Sequence, residues 1–228
     1  MEGHSYCVRG LAVTPDGTRV VSGAEDSLLS VWDLNTGTHL SDFPSDGGEV
    51  QAVALTADGA RIVFCDQSGF VHVMELATGK HLLKIGTYGG SGGRAWALAV
   101  TRDAATVIWG TLDRKVYLWD LNNGRQVGEW DCDDSVRSVT LRGDTQLITG
   151  EDGGTIHLRD LRSGQRICSF RSDSSDATVA ALSPDGRTII AGDGSGRVHF
   201  LRLIEADETK PPIGDTKIQL LHRKEQAS

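Results

Sequence analysis

An all-β propeller of five four-stranded blades is the fold the sequence predicts, and three observations predict it. The first is a recurring dipeptide: Trp32-Asp33, Met74-Glu75, Trp119-Asp120, Arg159-Asp160 and Leu201-Arg202, at steps of 42, 45, 40 and 42 residues. The second is a turn that keeps the same phase: Asp16-Gly17, Asp58-Gly59, Asp103-Ala104, Gly143-Asp144 and Asp185-Gly186. The third is that short apolar runs bounded by turn residues lie between the marks, which is a strand pattern. A period of about forty residues built from strands gives one propeller blade per repeat.

The first repeat reads as strand a over Val8 to Val13, b over Arg19 to Ser22, c over Leu28 to Leu34 and d over Thr38 to Phe43. TPDG joins a to b and NTG joins c to d; Pro fixes φ, while Gly and Asn accept positive φ. The repeats run over about 3–43, 44–85, 86–130, 131–170 and 171–203. Strand c is apolar or amphiphilic on both faces (LLSVWDL, FVHVMEL, KVYLWDL, TIHLRDL, RVHFLRL), as a sheet packed between neighbouring blades requires. Residues 204–228 read as a charged linker containing Pro211-Pro212, then a candidate last strand over 217–221 and a tail.

Composition narrows the function classes. A chain of 228 residues holds one sizeable core, and 28 glycines with 6% aromatics suit many short strands joined by tight turns. A net charge of −8 disfavours nucleic-acid and anionic-membrane partners. No run of eighteen apolar residues spans a bilayer, and no secretory signal is visible at the start. Cys7, Cys65, Cys132 and Cys168 are scattered without zinc spacing, so they read as thiols of a cytoplasmic protein. The Gly86 to Gly93 loop lacks the Gly-Lys-Ser/Thr ending of a phosphate cradle. Asp193-Gly194-Ser195-Gly196 and Asp131-Cys132-Asp133 resemble calcium-loop openings, but Ile204 and Arg142 occupy the twelfth positions. Both read as turns, and no cofactor or metal is expected.

The paired marks resemble those of the WD-repeat family over residues 3 to about 203. The resemblance implies a hydrogen-bonded tetrad that braces a blade, and by position the first repeat supplies it as His4, Ser22, Asp26 and Trp32. The third repeat keeps only Asp113 and Trp119; Ser68, Gly153 and Ser195 replace the aspartate elsewhere. The ending Gly192 to Leu203 resembles the last blade of bacterial WD-repeat proteins, including signalling NTPases with C-terminal propellers, although no NTPase motif is present. Five blades are few for the family, and whether they close a ring is left open.

His4, Ser22 and Asp26 also have the residue types of a hydrolytic triad. The tetrad explains the same residues, and nothing marks an oxyanion hole. His72, His157 and His199 share one repeat position in three blades, which favours inter-blade packing over convergence on one metal. Charge is segregated between the loop faces. The d–a and b–c loops hold fourteen acids against five bases; the opposite loops hold nine bases against five acids. The resulting expectation is a non-catalytic scaffold or sensor module binding a basic protein or peptide at the acidic face. Glu25, Glu49, Asp66, Arg94, Asp134, Glu151 and Asp193 are expected to border the central channel there. Two alternatives stay open. One is a small-molecule or carbohydrate-binding propeller, including a hydrolase with paired carboxylates. The other is a fragment of a larger regulatory protein, self-associating through open blade edges.

Overall fold

The computed structural model describes residues 3–86, 95–172, 179–204 and 217–224. The expected Gly86 to Gly93 loop beyond Gly86, Arg94, most of the Pro211-Pro212 linker and the last four residues lie outside them. Blade I is β1 (Val8–Val13), β2 (Arg19–Ala24), β3 (Leu28–Asp33) and β4 (His39–Pro44). Blade II is β5 (Val50–Leu55), β6 (Arg61–Asp66), β7 (Val71–Glu75) and β8 (His81–Ile85). Blade III is β9 (Ala95–Val100), β10 (Thr106–Thr111), β11 (Lys115–Asp120) and β12 (Arg125–Asp131). Blade IV is β13 (Val136–Arg142), β14 (Gln146–Glu151), β15 (Thr155–Asp160) and β16 (Arg166–Arg171). Blade V is β17 (Val179–Leu182), β18 (Thr188–Gly192), β19 (Val198–Ile204) and β20 (Lys217–Lys224). Each blade is a four-stranded antiparallel meander in chain order. β20 pairs with β19 as the outer strand of blade V, and its ladder runs through Lys224, beyond the 217–221 segment expected from sequence.

Both sequence marks are turn locks. Asp16 accepts from the Thr14 hydroxyl at 2.6 Å and the Thr18 amide at 3.0 Å. Asp58, Asp103 and Asp185 repeat the arrangement in blades II, III and V. At the end of strand c, Asp33 accepts from the amides of Asn35 and Thr36, and Asp160 from the amide and hydroxyl of Ser163. An aspartate whose side chain bonds the backbone two or three residues on replaces a missing backbone turn bond, so the residue recurs wherever the hairpin does.

Blades join face to face through their inner strands: β1 on β5, β5 on β9, β9 on β13, and β13 on β17. Between blades I and II the seam is Val21, Leu29 and Val31 against Val50, Val53, Ile62 and Phe64. Between IV and V it is Ile148, Ile156 and Leu158 against Ala180, Ile189 and Leu201. Glycines allow the close approach. A Cβ at Gly23 would stand 2.4 Å from the Val50 side chain, and one at Gly110 would stand 2.3 Å from Val136. Among the described strands, nothing comparable joins blade V to blade I. The five blades form an open arc.

Candidate interaction face

In blade I the four tetrad residues form one hydrogen-bonded chain. His4 Nδ1–H donates to Asp26 at 2.9 Å, Ser22 Oγ lies 2.7 Å from His4 Nε2, and Trp32 Nε1–H donates to Ser22 Oγ at 2.8 Å. The serine hydroxyl is thus held between an imidazole and an indole, which ties strands b and c to the segment before β1. In blade III, Trp109 stands at the register of Ser22 and stacks on Trp119 at 5.7 Å. No hydroxyl is there to accept from the Trp119 indole N–H, which has no hydrogen-bond partner.

Blades II, IV and V carry a different brace. The last residue of strand b, or the one just after it, is an acid, and six residues later the middle of strand c is histidine. His72 Nε2–H donates to Asp66 at 2.8 Å, and His199 Nε2–H donates to Asp193 at 2.8 Å. All four side chains are sealed from solvent. Burial alone would raise the Asp193 carboxyl, but bonds from His199, the Ser195 hydroxyl and the amides of Arg197 and Ser195 hold it at about 2. In blade IV, Glu151 accepts from the amides of Asp133 and Asp134, from Thr149 and from Arg159 at 3.1 Å. His157 sits 3.8 Å from it with its pKa pushed down, chiefly by burial.

These placements correct the expected rim. Asp66 and Glu151 are 0% exposed and the Asp193 carboxylate is likewise enclosed, so none of the three borders open solvent. Their chemistry is spent within the blade. The regular acid–histidine step of six residues was a signal in the sequence for this brace. Of the other expected residues, Glu25 is half-buried and paired with Arg9, and Glu49 and Asp134 are half-buried at the loops. Arg94, Asp173 and Asp176 fall outside the described residues. Arg137 pairs with Asp152 at 2.9 Å, and Arg166, the first residue of β16, reaches Asp133 at 2.6 Å. The acidic face is therefore less negative than its loops suggest. Its solvent-reached carboxylates include Asp131 and Asp133.

Asp133, Glu151 and His157 bring ligand atoms within 4.8 Å of one another. Two guanidinium groups already occupy those carboxylates, Arg159 on Glu151 and Arg166 on Asp133, so a divalent cation would enter a site already neutralised by positive charge. The two larger cavities, about 810 Å³ each, open at the opposite end, among loops around Arg102, Asp144 and Arg162. The aspartates lining them include Asp103, Asp160 and Asp185, which are turn locks. Among the described residues, no helix is long and apolar enough to cross a membrane.

Five tandem four-stranded blades with these turn locks define a WD-repeat β-propeller. Residues 1–33 match the family model described as WD domain, G-beta repeat. The chain is similar to eukaryotic translation initiation factor 3 subunit I of Botryotinia fuckeliana, with 31% identity over 50% of this chain and 38% of the relative. The same subunit of Pyricularia oryzae is 22% identical over 87% of this chain and 49% of its own length. WD repeat-containing protein slp1 of Schizosaccharomyces pombe is 23% identical over 95% of this chain and 37% of its own length. The chain spans about half or less of the length of these curated relatives.

Proposed function

We propose that the chain is a non-catalytic interaction module that takes up a basic protein or peptide at the rim carrying Glu49, Asp131 and Asp134. One observation carries the reading. The acids and histidines of the braces lie buried inside the blades, Asp131 and Asp133 stay exposed beside half-buried Glu49 and Asp134 at one loop end, and of the exposed aspartates at the opposite end Asp16, Asp58, Asp103 and Asp185 lock turns. A shallow rim of unpaired or loosely paired carboxylates attracts cationic partners and speeds their capture, an effect that salt weakens. The relatives named as subunits of a translation initiation factor support a place in a multi-subunit assembly. A hydrolase with paired carboxylates gains no support, because the buried acids face histidine or arginine and, of the cavity aspartates, Asp103, Asp160 and Asp185 lock turns.

The test is fluorescence anisotropy with a labelled Lys/Arg-rich peptide at low salt, on the native chain and on the combined Glu49→Lys, Asp131→Lys, Asp134→Lys variant. The reading expects binding that salt weakens and that the variant loses by about tenfold or more. Equal affinity for the variant, or equal binding of an acidic peptide, would count against it.

A further inference from the structure

We propose that copies of this chain join head to tail, the outer face of blade V in one copy packing on the outer face of blade I in the next. The two faces are the unpaired halves of an interface that the chain already builds four times. Register makes the comparison direct: Ile190 pairs with Phe200 as Val21 pairs with Val31. In blades I and IV the residues turned toward the following blade are Val21, Leu29 and Val31, then Ile148, Ile156 and Leu158, and all are buried. The matching residues of blade V, Ile190, Val198 and Phe200, stay apolar although no described blade packs on them; Ile190 is 40% exposed. Gly192 repeats Gly23 and Gly110, yet a Cβ there would meet nothing within 4 Å. Blade V thus keeps the glycine that elsewhere admits the next blade, with that space unfilled.

Blade I presents the complementary half. Leu11 pairs with Ser22 in β1 as Val53 pairs with Phe64 in β5, so Leu11 and Val53 hold one repeat position. Val53 is 8% exposed beneath blade I, whereas Leu11 is 67% and Val13 52% exposed. Apolar side chains grouped on a sheet face at this exposure mark a contact surface. The occupant follows from the chain itself, since it carries both halves and its arc does not bring them together. A head-to-tail contact of this kind is heterologous, so it builds open strings or larger rings. It runs through sheet faces, whereas the sequence pointed to strand edges, and it does not depend on the acidic rim.

The test uses two variants, Leu11→Asp and Ile190→Asp, each changing one exposed position, followed by sedimentation velocity alone and mixed. Circular dichroism checks that each keeps its β content; Val13→Asp and Gly192→Val on the same faces stand in for a variant that does not. The native chain should associate, and each variant alone should be a monomer, its association weakened about a hundredfold or more by an unpaired carboxylate in the contact. Mixing should restore a one-to-one dimer, because each variant retains the half the other lacks. A native chain that stays monomeric, or variants that stay apart when mixed, would overturn the proposal. The first result would leave these faces to blades supplied by another polypeptide, and an oligomer that survives both substitutions would place the contact elsewhere.

Discussion

Asp193 and His199, six residues apart, meet at 2.8 Å in the interior of blade V, and Asp66 and His72 meet at the same distance and step in blade II. The pair ties the end of strand b to the middle of strand c where the tetrad of blade I is missing. The chain therefore braces its blades by two devices: a serine held between histidine and tryptophan, and a carboxylate held by histidine.

Removing one member of a buried pair leaves an unmatched charge or polar group. Asp66→Ala should destabilise the fold by about 3–5 kcal/mol. Glu49→Ala, at a half-buried loop position, should stay within about 0.5 kcal/mol of the native chain. Urea unfolding of both variants checks this; equal losses would contradict the division between bracing and rim acids.

Acid should weaken the fold through Asp193 and the turn aspartates, whose carboxyls are held below the ordinary value. The folded Asp193 sits at about 2, below the ordinary aspartate value, so its stabilisation is complete above roughly pH 4 and is lost as pH falls toward 2. The turn aspartates Asp16, Asp58, Asp103 and Asp185 are shifted in the same direction by hydroxyl and amide bonds. Urea midpoints between pH 5 and pH 2 should fall steadily for the native chain and less steeply for Asp193→Asn.

Ser22→Ala should cost about 1–3 kcal/mol, because it leaves the Trp32 indole N–H and His4 Nε2 without their shared partner. Ser22→Thr keeps the hydroxyl and should recover most of the loss. Thermal unfolding with tryptophan fluorescence reads both; equal behaviour of Ala and Thr would show that the hydroxyl contributes nothing.

Thiol reactivity should separate by burial. Cys65 and Cys132 are both pushed up to about 12, chiefly by desolvation, while Cys7 is exposed. Alkylation at pH 8 followed by mass spectrometry should modify Cys7 well before Cys65 or Cys132, and denaturant should erase the difference.

The repeat was legible because each mark carries its own physics: Asp16 and Asp33 are needed wherever their hairpins turn. The tetrad was legible by position, since His4, Ser22, Asp26 and Trp32 sit at the offsets the fold demands. Asp66, Glu151 and Asp193 were misplaced because acids near turns are usually solvated, and only the partner six residues on shows otherwise. The pairing of Arg166 with Asp133 was invisible because a long side chain at the start of β16 reaches a loop distant in the chain. Ring closure was invisible for another reason. Leu11 and Ile190 look like every other core position of the repeat, and only the lack of packing between the described strands of blades V and I shows them exposed.

The most direct measurement is the mass of the unaltered chain by light scattering at several concentrations. Head-to-tail association should give species heavier than 24.4 kDa whose mean mass rises with concentration. A constant 24.4 kDa across the range would contradict it, and would mean that the outer faces of blades I and V are not halves of a contact between copies.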